Sequence, residues 1–238
     1  MRRVLVAIFL LLPLVAAAQQ RVSIDVKTVQ VSEGKRVTTE RSLYLHPDGR
    51  LVVEQSKPMR IISLTNSLGE MRIYDPQNNQ VAAINNPEMS SSREMVAIFS
   101  SGDYADMALS DYDFLQSDVR TENGLVIKTY NARRNDKGVV SVELVFQNHL
   151  PICMIYYDAG GNTLRKVYFS RYEYGRIPMP MRITEIEYTT PRDSTVRLST
   201  YSNLLTGKEA NSTMFDFQIP AEAQRTDLNL NQLLQIQQ

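Results

Sequence analysis

Side chains that carry chemistry are scarce in this sequence. Its 238 residues include one cysteine, two histidines and no tryptophan. A single Cys excludes an intramolecular disulfide framework and any multi-cysteine metal site. Two His leave little room for a histidine-built metal centre. Surplus charge is lacking too: 26 basic residues balance 26 acidic ones. A nucleic-acid binder carries an excess of Lys and Arg, so no nucleic-acid partner is expected. No Ser sits in a Gly-x-Ser-x-Gly elbow, which removes the usual sequence support for a hydrolase triad.

What is present is enough apolar matter for a core, 43% of the residues, over a length that suits one domain. Arg2 and Arg3 precede an apolar run from Val4 to Val15, followed by Ala16, Ala17 and Ala18. A basic start, a short apolar stretch and small residues form an export signal, with cleavage expected after Ala18. The run is too short to span a bilayer comfortably, and no later stretch is long enough. No Cys follows the cleavage point, so a lipid anchor at a mature N-terminal Cys is not expected. Without residues 1–18 the chain has 24 basic and 26 acidic side chains, a net of −2. The expected product is a soluble, exported, nearly neutral domain over 19–238.

From Arg21 onward the apolar residues mostly recur every second position. Val22, Ile24 and Val26 alternate with Ser23, Asp25 and Lys27, and Val140, Val142, Leu144 and Phe146 behave alike. So do Ile183–Tyr188 and Val196–Leu204. Such alternation marks strands with one buried face and favours an antiparallel sheet. Turn signals rich in Gly, Asn, Asp and Pro fall between the runs, at 32–35, 46–49, 66–69, 75–79, 122–124, 135–138 and 158–162. Ten to twelve strands in a meander are predicted. Pro87–Ser101 breaks the alternation. Met95, Ile98 and Phe99 there are spaced i, i+3, i+4, which predicts a helix near 88–101 capped by a serine and ended by Gly102. A shorter helical turn is expected within 103–114, and a weak helix over Leu228–Ile236.

Candidate reactive groups each have a plainer reading. His46 sits in a His-Pro-Asp-Gly turn and His149 in another turn. Cys153 lies in an apolar run and reads as a small buried hydrophobe. The acidic group Asp103, Asp106, Asp111, Asp113 and Asp118 lacks the Gly and terminal Glu of a calcium loop. Glu185 and Glu187 read as the wet face of a strand. The unusual feature is nine methionines beyond the first residue, adaptable side chains suited to lining an apolar groove.

Three segments carry a resemblance. Asp48-Gly49-Arg50-Leu51-Val52-Val53-Glu54-Gln55-Ser56-Lys57-Pro58-Met59-Arg60-Ile61 resembles the early part of the LolA-like periplasmic lipoprotein carriers. Gly69–Val81, with Tyr74-Asp75-Pro76, is similar to their next strand and turn. Met214–Ala221 resembles their Phe-x-Phe-x-x-Pro ending, and Pro151…Tyr156 with Arg176-Ile177-Pro178-Met179-Pro180 is similar to the middle of longer lipoprotein-sorting members. The resemblance implies an α+β fold, mostly antiparallel β, with an unclosed half-barrel sheet covering one or two helices. It implies no catalysis and no cofactor. The implied partners are acyl chains of lipoproteins or other lipids, an inner-membrane release complex and an outer-membrane acceptor, with the protein acting as a periplasmic monomer. A second reading is an interaction or sensory module of the same fold.

Strand parity then selects a groove. With Lys57 inward, as the residue that would close the lid where the family usually has Arg, Leu51, Val53 and Gln55 share its face. Met59 and Ile61 continue the set, Met71 and Ile73 match it on the next strand, and Met95, Ile98 and Phe99 are the helix face that covers them.

Overall fold

The computed structural model describes residues 20–102, 104–134, 138–190 and 193–226. The expected export signal, Asp103, most of the 135–138 turn and the Leu228–Ile236 tail lie outside the described residues.

Two meanders build one sheet. The first comprises β1 (Val22–Ser32), β2 (Lys35–Leu45), β3 (Leu51–Lys57), β4 (Ile61–Thr65), β5 (Glu70–Asp75) and β6 (Gln80–Asn85). The second comprises β7 (Phe114–Glu122), β8 (Leu125–Ala132), β9 (Ser141–Gln147), β10 (Leu150–Tyr157), β11 (Thr163–Tyr174), β12 (Pro178–Thr190) and β13 (Asp193–Thr206). A two-residue β14 (Gln224–Arg225) adds parallel to β6. The strand order is β14-β6-β5-β4-β3-β2-β1-β13-β12-β11-β10-β9-β8-β7, all other pairs being antiparallel. The halves join where β1 pairs with β13. The sheet stays open, an α+β half-barrel, as the resemblance implied.

The other expected turns sit between these strands. Glu33 and Gly34 both have positive φ, as do Asn123 and Gly124, the geometry that matches hairpin twist.

Because β6 and β7 lie toward opposite edges, residues 86–113 must cross the sheet. That crossover occupies the inner face and carries α1 (Met95–Ser101), which touches β1 and β12. The helix is shorter than the 88–101 predicted. Pro87–Met89 and Ser91–Arg93 form separate 3-10 turns instead. The serine hydroxyls explain the break. Ser90 donates to the Ser67 carbonyl at 2.8 Å and accepts from the Ser92 amide, while the Ser91 amide donates to the Asn66 carbonyl. Side-chain bonds to loop backbone compete with helix formation. Gly102, left-handed at φ 75°, ends α1 as expected, and a further 3-10 turn spans Leu109–Tyr112.

The inner core gathers even-numbered β1 residues Val22, Ile24 and Val26 with Leu43, Leu45, Leu144, Met179, Val96 and Phe99. On the outer face, Val52, Ile62 and Tyr74 pack against Met214, Phe217 and Ile219 of the segment after β13. Phe215 is fully buried there, edge-on to Tyr44 at 5.6 Å. The Phe-x-Phe-x-x-Pro ending thus straps the outer side of the first meander. No helix among the described residues is long and apolar enough to cross a membrane.

Candidate functional site

Two cavities lie under the crossover. The smaller, about 260 Å³, has a floor of Leu51, Val53 and Gln55 from β3, Ile61, Ser63 and Thr65 from β4, and Met71 and Ile73 from β5. Its cover is Met89, Ser90, Arg93, Glu94 and Met95, with Arg41 of β2 and Tyr112 at the sides. The larger, about 810 Å³, is bounded by Met95, Ile98, Met107, Leu109 and Phe114 of the crossover side and by Met154, Tyr156, Leu164 and Arg165 of β10 and β11. Volumes of a few hundred Å³ with mostly apolar walls are those of small-ligand sites. Glu88, Arg93, Met95 and Tyr112 border both.

The parity argument can now be followed residue by residue. Leu51, Val53, Ile61, Met71, Ile73 and Met95 come together around the smaller cavity. Arg60 and Ile62 do not face the helix: Arg60 pairs with Glu54 at 2.7 Å, and Ile62 packs in the outer cluster. Ile98 faces the larger cavity. Phe99 lines neither. It is completely buried against Tyr104 at 5.4 Å, Phe169 at 6.2 Å and Tyr172 at 6.1 Å, where it anchors α1 to the sheet. Met59 follows Pro58 in a bend, is 41% exposed, and lines neither of these cavities.

Methionines contribute three side chains to each lining. Met71, Met89 and Met95 border the smaller cavity, and Met95, Met107 and Met154 the larger. Met179 and Met181 are core residues and Met214 belongs to the outer cluster.

Polar groups interrupt both linings: Arg41, Gln55, Ser63, Thr65, Ser90 and Glu94 in the smaller, and Asp111, Asp113, Arg134, Arg165 and Glu187 in the larger. Arg93 lies 4.0 Å over the Tyr112 ring and donates to the Asp111 carbonyl. Glu185, read from sequence as wet, is a half-buried carboxylate gripped by Arg165 at 2.6 Å and Arg197 at 2.8 Å. Arg165 also stacks on Tyr156 at 5.2 Å. Burial pushes the Tyr156 and Tyr201 phenols up, so both stay neutral. Sequence reasoning missed Arg41. The signal was available: Thr39, Arg41, Leu43 and Leu45 share one parity in β2, which places a charge in an otherwise inward set. Among the described residues no cluster of three or more His, Cys, Asp or Glu could hold a metal.

No family model matches the chain, and no curated protein matches it in sequence. Solved structures do. It is similar to a LolA superfamily protein from Nitrosomonas europaea, 14% identical over 78% of this chain and 86% of that one, with a TM-score of 0.53. A domain named as an outer membrane lipoprotein-sorting protein from Vibrio parahaemolyticus is 15% identical over 82% and 89%, TM-score 0.56. A DUF1329 family protein from Desulfovibrio piger is 17% identical over 84% and 90%, TM-score 0.55. The fold is LolA-like.

On this LolA-like sheet Lys57 takes the face opposite to the one expected. Glu40 pairs with Lys57 but Arg41 with Gln55, so Ser56 is an extra residue, a bulge. The bulge flips parity after the inward Gln55. Lys57 emerges on the outer face, exposed, with its ammonium 3.0 Å from Glu40, which also holds Lys27 at 3.1 Å. The Lys57 hydrogen bond is the main cause that holds the Glu40 carboxyl below the usual range.

Proposed function

We propose that the protein is a periplasmic binder of acyl chains, borne by lipoproteins or another lipid, which carries them toward the outer membrane. The observation that carries this reading is the pair of methionine-lined cavities between the open sheet and its crossover. The LolA-like fold supports it. Each methylene moved from water into such a cavity contributes about 0.8 kcal/mol. Methionine lets the walls fit chains of different shape. Within this reading residues 1–18 are the export signal and 19–238 one binding domain. An inner-membrane release complex supplies the cargo, an outer-membrane acceptor takes it, and the carrier works as a monomer without a cofactor.

The role is binding, not catalysis. Cys153, the only thiol, is buried in an outer-face cluster with Ile127 and Val145, and burial pushes its pKa up to about 11, which keeps it protonated. Transfer to an acceptor requires only that the acceptor's apolar site bind better than the cavity does.

Native mass spectrometry of the protein purified from an envelope extract tests this. Bound lipid or lipoprotein of defined mass is the expected result. Lipid-free protein stably bound to another protein would favour an interaction module and defeat the carrier reading.

A further inference from the structure

Among the described residues Arg41 has no counterion. It sits in β2 between Val26 of β1 and Gln55 of β3, in a row that runs Ile61, Gln55, Arg41, Val26 and Tyr201 across the inner face. Its Nε is sealed from solvent and has no hydrogen-bond partner. No carboxylate of a described residue lies within 4.0 Å of its guanidinium. What sets Arg41 apart is the missing counterion: Arg165, whose Nε is likewise sealed and unpartnered, and Arg197 both hold Glu185. A half-buried charge left this way is costly unless something pairs with it.

The surroundings say what would pair. Arg41 and Gln55 border the smaller cavity beside Leu51, Val53, Ile61 and Met95. Among the described residues the Gln55 amide nitrogen has one hydrogen bond, at 3.5 Å to the Met59 carbonyl, so it can turn to a ligand. Glu88 and Glu94 border the cavity from the crossover, both exposed, and Glu94 lies beyond salt-bridge distance of Arg41. A planar cation with parallel donors suits a carboxylate or phosphate, and the apolar floor beside it suits a hydrocarbon chain.

We infer that the smaller cavity binds a single-chain amphiphile with an anionic head, the head on Arg41 and Gln55 and the chain along Leu51, Ile61, Met71 and Ile73. This rests on the acyl-binding reading and sharpens it. The ester- or amide-linked acyl chains of a lipoprotein bring no anion of their own to Arg41, whereas a free fatty acid or a single-chain phosphate-headed lipid does.

The test compares 11-(dansylamino)undecanoic acid with its methyl ester by fluorescence on the intact protein. The acid should bind about tenfold to a hundredfold more tightly, the range for a hydrogen-bonded charge pair. Arg41→Met keeps the apolar stem and should weaken only the acid, bringing it level with the ester, while Arg41→Lys should retain part of the preference. Removing an unpaired charge does not threaten folding, and the acid–ester comparison on the unmodified protein needs no variant. Equal binding of acid and ester, or an undiminished preference in Arg41→Met, overturns the inference and leaves the acyl-binding reading standing. Binding of neither probe overturns both. Excess inorganic phosphate should leave the acid bound. Displacement by phosphate would make Arg41 a free-anion site and overturn the amphiphile assignment. Glu94→Gln should bind the acid at least as tightly; weaker binding would count against an anion in that place.

Discussion

The Arg93 guanidinium lies 4.0 Å above the Tyr112 ring, and this pair is part of the wall that the two cavities share. A half-exposed contact of this kind contributes about 0.5–1 kcal/mol. It is therefore weak enough to open at little cost. With it open, the smaller and larger chambers would adjoin across Met95. Tyr112→Ala should move the preferred acyl probe toward longer chains while lowering stability by no more than about 1 kcal/mol. A chain-length series read by fluorescence and a denaturant titration check both. An unchanged optimum would show that the wall does not set capacity.

Met95 and Phe99 neighbour one another in α1 but should fail differently. Met95→Asp places a charge where both cavities meet. It should abolish acyl-probe binding with a small loss of stability, because Met95 is only half-buried. Phe99→Ala should cost about 3–5 kcal/mol, the usual range for a buried aromatic. Thermal or chemical unfolding alongside a binding titration separates the two. Equal destabilisation by both substitutions would contradict the assignment of Phe99 as the anchor.

Lys57 should be dispensable for binding. Its partner Glu40 has a lowered pKa, so the folded state favours the carboxylate. That contribution is complete above the ordinary glutamate value and fades as pH falls through the lowered one. Lys57→Met should shift the Glu40 titration, followed by carboxyl NMR, upward toward the ordinary value and leave probe affinity unchanged. Loss of affinity would restore a groove role to Lys57.

Gly69 lines neither cavity yet is a sensitive position. Its φ is +81°, and an added Cβ would collide with the Asn86 carbonyl just before the crossover. Gly69→Ala should cost roughly 1–3 kcal/mol, from strain at positive φ and the displaced backbone. It should also weaken acyl binding, since the Asn86 amide bonds to the Gly69 carbonyl where the lid segment begins. A melting curve near that of the unmodified protein would show that the turn yields easily.

Cys153 should be inert in the folded protein. With its thiol buried and its pKa near about 11, a disulfide reagent at mildly alkaline pH should react only as fast as the chain unfolds. Rapid labelling of native protein would place the thiol at an accessible site.

How far the sequence reached can be judged at particular residues. Period-two alternation placed Leu51, Val53, Ile61, Met71 and Ile73 on one face because side chains alternate wherever the ladder is regular. Lys57 escaped because one extra residue, Ser56, reverses parity, and nothing in Gln-Ser-Lys-Pro announces a bulge. The helix over 88–101 was overestimated because Ser90 and Ser91 find partners in loops 23 and 42 positions away, which local spacing cannot reveal. Arg41 was overlooked because a charge in a strand is ordinarily taken for an outward one. Its significance lies in lacking a counterion among the described residues, and only tertiary structure shows that. The position of the Phe215 strap across the outer face is equally non-local.

The β1–β13 junction sets a timetable for the chain. The hydroxyls of Thr28 and Ser199 meet across it at 2.9 Å although 171 positions separate them. A polypeptide made from its N-terminus must hold β1 with one edge unpaired until almost all the rest has appeared. Contacts so distant in sequence form slowly and leave adhesive strand edges in the meantime. Cutting the chain between the meanders would yield two fragments, each with a raw edge and half a groove, and neither would serve as a smaller binding module.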